Sequence, residues 1–426
     1  MKVLIINKSD STGGAAIAAK RLTDALQNSG VEVKMLVQEK KSTDPNVIHT
    51  GNSFFKKKWN FVLFVIERLY FFWFEKSKSL RFAFSPAIAG ENIVENQWVK
   101  EADVIHLHWF NQGYLSINGL RKLVNLQKTI VWTMHDMWAF TGGCHYSGDC
   151  INYRNNCGNC KLLNKPATND LSSRILKKKK KILKDANIKY VACSNWLAQK
   201  AMESSLLKGC EVKTIANPID TRIFYAGNKL EIRKELGLPV NRKIILFGSA
   251  NATDKRKGID FLLEALDIIL VGNAALLDNI HVVIFGKSGE TIQNKIKFQS
   301  TILGLISENE KIAKVYNVAD IFVLPSLEDN LPNTIMESMA CGTPVVAFNT
   351  GGIPEMVDHM ANGYLADYKS AHDLACGIKF ILEHEQPALL SKKCIEKVEM
   401  NYTQNIIARK YQDLYLKANT ESMPFS

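Results

Sequence analysis

The feature that most constrains this chain is a strand, a glycine turn, a helix and a second strand at its start, followed by the same order halfway along. Val3–Asn7 is a short apolar strand, and Ser9–Gly14 is a loop of small residues. From Ala15 to Asn28 the side chains Ile17, Leu22, Ala25 and Leu26 recur at helical spacing, with Gly30 placed to cap the end. Val31–Val37 is the next strand. Two such strands joined through a helix run parallel, because a parallel pair needs a crossover connection. Further strands are predicted at Asp103–His108, Thr129–Met134 and Ile188–Cys193. The pattern restarts at Lys243–Phe247, with Gly258–Leu270 as its helix, and continues through His281–Phe285, Asp320–Leu324 and Pro344–Phe348. The chain is therefore expected to be α/β, with two doubly wound Rossmann-like domains facing a central cleft. In such sheets ligands bind at the carboxyl ends of the strands.

The 426 residues fit two domains of ordinary size, and 46% hydrophobic with 23% charged residues suits a folded chain. Expected boundaries are 1–218 for the first domain, 219–402 for the second, and 403–426 for a terminal helix. Apolar Ile406, Ile407, Tyr411, Leu414 and Tyr415 mark that helix. Met1–Asn7 reads as a strand and lacks a signal-peptide pattern, so the expected compartment is the cytoplasm.

Charge is unevenly spread. Residues 1–218 hold 32 lysines and arginines against 17 acids, whereas 219–426 hold 22 against 25. An acidic partner is expected to meet the first half. Two segments there depart from the strand–helix pattern. One is an insertion at about 52–90, where Lys56-Lys57-Lys58 precede a run of aromatic and aliphatic residues from Trp59 to Phe74. Such a mixture suits the interface of an anionic bilayer; a buried helix pair is the alternative. The other is Arg174–Lys184, with lysine at every position from 177 to 181. Charge on all faces favours an electrostatic footprint over a solvated helix. No aromatic stacking platform or nucleic-acid motif accompanies it, so phospholipid or a lipid pyrophosphate is expected rather than nucleic acid.

Four of the nine cysteines, Cys144, Cys150, Cys157 and Cys160, lie in the loop 141–163 with C-x5-C-x6-C-x2-C spacing. In a cytoplasmic chain this favours a structural zinc held by four thiolates; free thiols and disulfides are the alternatives. Cys193, Cys210, Cys341, Cys376 and Cys394 read as small core residues.

The most specific stretch is Pro325–Ala347, where a strand passes through the polar loop Ser326–Leu331 into a helix starting near Pro332–Asn333 and then Gly342-Thr343-Pro344-Val345-Val346. A helix N-terminus offers free N–H groups and a positive dipole end to phosphate. Asp329 and Glu337 are acids eight positions apart, and a carboxylate can accept both hydroxyls of a ribose. This stretch resembles the C-terminal signature of the retaining GT-B glycosyltransferases of family 4. The resemblance extends to Gly13-Gly14, Thr133-Met134-His135-Asp136, Asn217-Pro218-Ile219-Asp220, Arg256-Lys257-Gly258, Phe285-Gly286 and Gly351-Gly352-Ile353-Pro354-Glu355. Within the family the chain is most similar to enzymes of bacterial exopolysaccharide, capsule and O-antigen biosynthesis, of the colanic-acid type.

The resemblance implies a hexosyltransferase that moves a sugar from a UDP- or GDP-linked donor to a polyprenyl-diphosphate-linked oligosaccharide or polysaccharide, at the inner face of the plasma membrane. It implies no cofactor for catalysis beyond the nucleotide-sugar co-substrate, and it makes 1–218 the acceptor-side domain, 219–402 the nucleotide-sugar-binding domain and 403–426 a helix crossing back to the first. Glu337 would hold the ribose hydroxyls. Asp329 and the segment Asn330, Leu331, Asn333 and Thr334 would hold the donor sugar and its phosphate. Lys257 with Arg256 would neutralise the leaving diphosphate. Gly13 and Gly14 would let backbone approach the diphosphate, and His135 would face the donor sugar. Glu355 is a weaker candidate contact, and His106 and His108 read as structural. The family's usual phosphate arginine is replaced here by Asn251, for which Arg256 is expected to compensate. A GT-B fold used for another reaction, such as sugar-nucleotide epimerisation, or a non-catalytic carbohydrate-binding homologue, are the alternatives.

Overall fold

The computed structural model describes residues 1–51, 53–184, 186–272 and 274–422. The expected insertion begins at Asn52 and the expected last helix extends to 426, so residues 52 and 423–426 of those segments lie outside the description. The chain forms two compact units, one of Met1–Asn217 with Ile407–Ser426 and one of Pro218–Ile406.

The first unit is built on seven parallel strands: β1 (Lys2–Ser9), β2 (Glu32–Glu39), β3 (Val47–His49), β4 (Val104–Leu107), β5 (Thr129–Met134), β6 (Ile188–Ala192) and β7 (Val212–Thr214). Their order is β3-β2-β1-β4-β5-β6-β7. The second unit holds β8 (Lys243–Asn251), β9 (Ile280–Lys287), β10 (Gln299–Ile302), β11 (Ile321–Leu324), β12 (Val345–Phe348) and β13 (Gly363–Ala366), ordered β10-β9-β8-β11-β12-β13 and again parallel throughout. Both are Rossmann-like sheets. Their central strands are buried on both faces, as parallel strands under helices must be.

One face of the first sheet is closed from the far end of the chain. The helix Gln404–Ser422 places Ile407, Ala408, Tyr411, Leu414 and Tyr415 in one buried cluster with Val3, Ile5, Val33, Val104, Val131 and Val191. The other face carries a larger, aromatic cluster that includes Phe110, Tyr114, Trp132, Trp138 and Phe140.

The two segments outside the strand–helix pattern pair with each other. Among its described residues the insertion forms one α-helix, Phe54–Phe72, whose buried face is Asn60, Leu63, Glu67, Arg68 and Phe71, and a short 3-10 turn at Lys78–Leu80. The chain beyond it forms isolated antiparallel bridges to the cysteine loop, Glu75 to Leu163 and Phe84 to Cys144. Lys76 N–H donates to the Leu162 carbonyl at 3.0 Å, and Ser85 N–H to that of Gly143 at 2.8 Å. Phe71 stacks on Phe84 with ring centroids 4.7 Å apart. Insertion and loop thus share one core, neither being a helix pair nor a metal-stapled loop.

Three sequence expectations are corrected here. Lys179, in the middle of the lysine run, is fully buried, so charge does not surround the helix Leu171–Leu183. Cys210 and Cys376 are exposed rather than core residues, whereas Cys193, Cys341 and Cys394 are buried. The expected zinc site of the four loop cysteines finds no support: among the described residues no three histidine, cysteine or acidic side chains are arranged to hold a metal ion. Cys144, Cys157 and Cys160 instead pack against the aromatic core. Burial pushes all three thiols up, Cys157 to about 11, which keeps them protonated and suited to packing.

Candidate active site

In the second unit, β8 ends in a bulge between Gly248 and Asn251 and leads into a single 3-10 turn, Lys255–Lys257. Asp254 caps that turn, accepting from Arg256 N–H at 3.0 Å. Gly258 follows with φ of 72°, and a Cβ there would sit 1.9 Å from the Pro325 carbonyl oxygen. Only glycine permits both the left-handed backbone and that approach. The turn is pinned to the loop after β11, because Leu327 N–H donates to the Arg256 carbonyl at 2.8 Å.

These contacts gather three of the expected residues. Lys257 Nζ lies 2.5 Å from Asp329 Oδ2, and Arg256 Nη1 lies 3.6 Å from the same oxygen. Arg256 Nη1 also donates to the Glu328 carbonyl at 2.7 Å, and Ser326 Oγ lies 3.3 Å from Asp329 Oδ2. Burial alone would raise the Asp329 carboxyl, but the Lys257 and Arg256 cations outweigh it and hold the group below the usual carboxylate range. Gly351, at φ 61°, fits its backbone against the Asp329 carbonyl, where a Cβ would come within 1.9 Å. Asn251 turns back on its own loop, its Oδ1 accepting from Thr253 N–H and Oγ1 at 3.2 and 2.9 Å.

The loop carrying Asp329 runs into the helix Asn333–Ala340, which has no side-chain cap at its start. Asn330, Leu331 and Asn333 are buried there. Thr334 Oγ1 is buried without a hydrogen-bond partner, a cost that a bound polar group would remove. Glu337, one turn on, is buried and accepts from the Tyr316 hydroxyl at 3.1 Å. Glu355 sits in the 3-10 turn Ile353–Glu355, its carbonyl 3.3 Å from the Tyr402 hydroxyl.

The remaining expected residues belong to the first unit. Gly13, at φ 91° and with nothing within 4 Å of where a Cβ would be, starts the helix Gly14–Asn28 without a side-chain cap. Ser9 Oγ and the Asp10 carboxylate hold the preceding loop through backbone N–H groups of Ser11, Thr12, Lys41 and Ser42. His135 ends β5. Its Nε2 hydrogen-bonds His108 Nδ1 at 2.8 Å, and its Nδ1 lies 3.5 Å from Cys193 Sγ. Burial pulls His135 down to about 4, so the ring is neutral near pH 7 and serves as a hydrogen-bonding group. His106 is structural, bonded at 2.7 Å to both the Tyr415 hydroxyl and Thr133 Oγ1. His108 is buried beside it and holds the His135 ring through that same 2.8 Å hydrogen bond.

Asp136, beside His135, joins this centre to the cysteine loop. Its Oδ2 accepts from Trp109 Nε1 at 2.9 Å and pairs with His145 Nδ1 at 2.7 Å, while Oδ1 caps the turn Met137–Phe140. Sequence reading did not foresee the contact of Ser326 with Asp329, of His108 with His135 or of Asp136 with His145. Ser326 stands three residues before Asp329 in the same loop and could have been suspected; the other two depend on contacts between separated segments.

Two family models match the chain: Glycosyltransferase Family 4 over residues 12–223 and Glycosyl transferases group 1 over 228–399. Only residues 224–227 separate the matched stretches. The chain belongs to the GT-B glycosyltransferases of family 4/group 1. Curated relatives of this GT-B chain include N-acetyl-alpha-D-glucosaminyl L-malate synthase of Bacillus anthracis, 24% identical over 48% of this chain and 53% of that protein. A D-inositol 3-phosphate glycosyltransferase of Mycolicibacterium smegmatis is 31% identical over 42% of this chain and 41% of its own length. The chain thus spans about half the length of the curated relatives it matches. Solved GT-B folds align over nearly the whole chain. Sucrose-phosphate synthase from Thermosynechococcus elongatus has a TM-score of 0.67 at 21% identity, covering 99% of this chain and 100% of that one. Anabaena HepE in complex with UDP and glucose has a TM-score of 0.64 at 15% identity, covering 97% and 99%. At such identities the likeness concerns the fold.

Proposed function

We propose that this GT-B chain is a retaining hexosyltransferase that moves a sugar from a UDP- or GDP-linked donor to a lipid-linked or polysaccharide acceptor in bacterial surface polysaccharide biosynthesis, at the cytoplasmic face of a membrane. The observation that carries the reading is the convergence of Lys257, Arg256 and Asp329 in the loop leading to an uncapped helix start. Glycosyl transfer builds negative charge on the departing diphosphate, and fixed cations with backbone amides lower that barrier. Lys257 and Arg256 supply the cations, and Asp329 orients both when no phosphate is near. Asn330, Leu331, Asn333 and the unpartnered Thr334 hydroxyl offer groups to the sugar and its phosphate, and Glu337 accepts the ribose hydroxyls.

The family resemblance gives Gly13 and Gly14 a role towards the diphosphate and His135, neutral near pH 7, a hydrogen-bonding role towards the sugar. Retention proceeds by front-face attack. The acceptor oxygen bonds to the anomeric carbon as the bond to the diphosphate breaks, and the acceptor proton passes to the departing phosphate oxygen. The HepE complexes with UDP, UDP-glucose, and UDP with glucose favour UDP as the first donor nucleotide to try.

A thermal-shift titration with UDP, GDP, ADP and CMP tests the reading, because a ligand of the folded state raises the midpoint by mass action. A shift with UDP or GDP that Lys257→Ala abolishes is expected; no shift with any nucleotide in folded protein overturns it. Release of free nucleotide from the matching sugar donor then separates a transferase from a binding-only homologue.

A further inference from the structure

We propose that the outward face of the helix Phe54–Phe72 is an in-plane docking surface for an anionic bilayer, which deepens the membrane-side reading above and rests on it. Phe55, Trp59, Val62, Ile66, Leu69 and Trp73 follow one another at alternating steps of four and three residues. At 100° per residue these positions fall within about 80° of one helix face, a stripe about 27 Å long. All six side chains are exposed, from 40% for Val62 to 82% for Phe55. Solvated helices do not present such a stripe unless something covers it.

The opposite face fixes the helix in the unit. Glu67 accepts from Gly113 N–H at 2.8 Å and pairs with Arg68 at 2.7 Å, and Leu63 and Phe71 are buried. The stripe therefore cannot roll inward without exposing an ion pair and core side chains.

Charge names the occupant. The acids nearest the stripe in sequence, Glu67 and Glu75, are buried and paired with Arg68 and Arg81, and Glu91, paired with Lys56, is buried too, so none of the three faces outward. Lys58 stands about 60° to one side of the centre of the stripe at its start, and Lys76 and Lys78 follow its end, all exposed. The bridge of Glu75 to Leu163 adds the exposed Lys161 and Lys165 of the cysteine loop to that end. A tryptophan stands near each end of the stripe. Aromatic rings at headgroup depth with lysines among anionic phosphates satisfy both features, and a soluble apolar partner would leave the lysines unmatched. The helix lies on the membrane: no helix among the described residues is long and apolar enough to cross one.

The test is cosedimentation of the full chain with vesicles of phosphatidylcholine alone or with one-third phosphatidylglycerol, at low and high salt. Binding to the anionic vesicles is expected, at least tenfold weaker on neutral ones or in high salt. Trp59→Ser with Leu69→Ser and Trp73→Ser should weaken it at least tenfold, and Lys58→Gln with Lys76→Gln and Lys78→Gln should remove most of the preference for anionic lipid. These side chains are exposed, so both variants should keep the parent's thermal midpoint and nucleotide shift. No binding to anionic vesicles by folded protein overturns the proposal. So does binding that ignores the stripe variant, or a stripe-dependent dimer seen by sedimentation without lipid. Loss of the nucleotide shift with vesicle binding intact would instead overturn the glycosyltransferase reading alone.

Discussion

At the scale of single residues, the most informative side chain is Lys179. Its ammonium donates to the carbonyls of Trp138 and Thr141 and lies 3.4 Å from the Trp138 ring centre. It thereby closes the end of the turn that begins beside His135 and Asp136. Burial is the main influence on it and pulls it from 10.5 down to about 7, against the opposing pull of Cys144, Cys157 and Asp136. The unfolded chain therefore binds this proton more tightly, and stability gains from this site as pH rises from about 7 towards 10.5. The slope is at most ~1.4 kcal/mol per pH unit. Urea unfolding of the parent and Lys179→Met between pH 7 and 8.5 checks this: the parent should gain on the variant as pH rises, and parallel curves would refute it. Nothing in a run of five lysines marks the middle one as buried. Asp329, Lys257 and Glu337 differ in this respect, because their neighbours in sequence carry a recognisable pattern.

At the scale of elements, the helices and strands of the two sheets were legible because hydrophobic runs and glycine turns repeat. The short edge strands β3, β7, β10 and β13 were not, since their three or four residues are partly exposed and carry no continuous apolar run, whereas β4, β11 and β12, equally short, are buried throughout and stood out. The last helix, Gln404–Ser422, shows how far an element can act from its neighbours in sequence. Tyr415 is fully buried against the first sheet, and its hydroxyl bonds His106 at 2.7 Å. Tyr415→Ala should cost about 3–5 kcal/mol through the cavity it leaves. Tyr415→Phe should cost about 1–2 kcal/mol by orphaning His106 Nδ1. Chemical denaturation resolves the two, and an alanine variant as stable as the parent would refute the packing role.

At the scale of the whole molecule, the chain enters the second unit at Pro218 and leaves it after Ile406, so the first unit is assembled from both ends. Residues 1–217 alone lack the helix that covers one face of their sheet and should express as insoluble or molten protein. Residues 218–406 contain their complete sheet and core, together with Lys257, Asp329 and Glu337. That piece should unfold cooperatively and keep the nucleotide-dependent shift. Circular dichroism with thermal melts of both pieces decides, and a well-folded 1–217 would show the last helix to be dispensable. By itself the sequence determined two parallel α/β units, the family and the donor-site candidates, because periodicity, glycine turns and contiguous motifs are local properties. Tertiary structure alone decided that insertion and cysteine loop share one core, that Lys179 is inside and that one stripe of aromatic residues stays outside. Those outcomes depend on which surfaces meet across long separations in the chain, and burial is a property of the meeting, not of the residue.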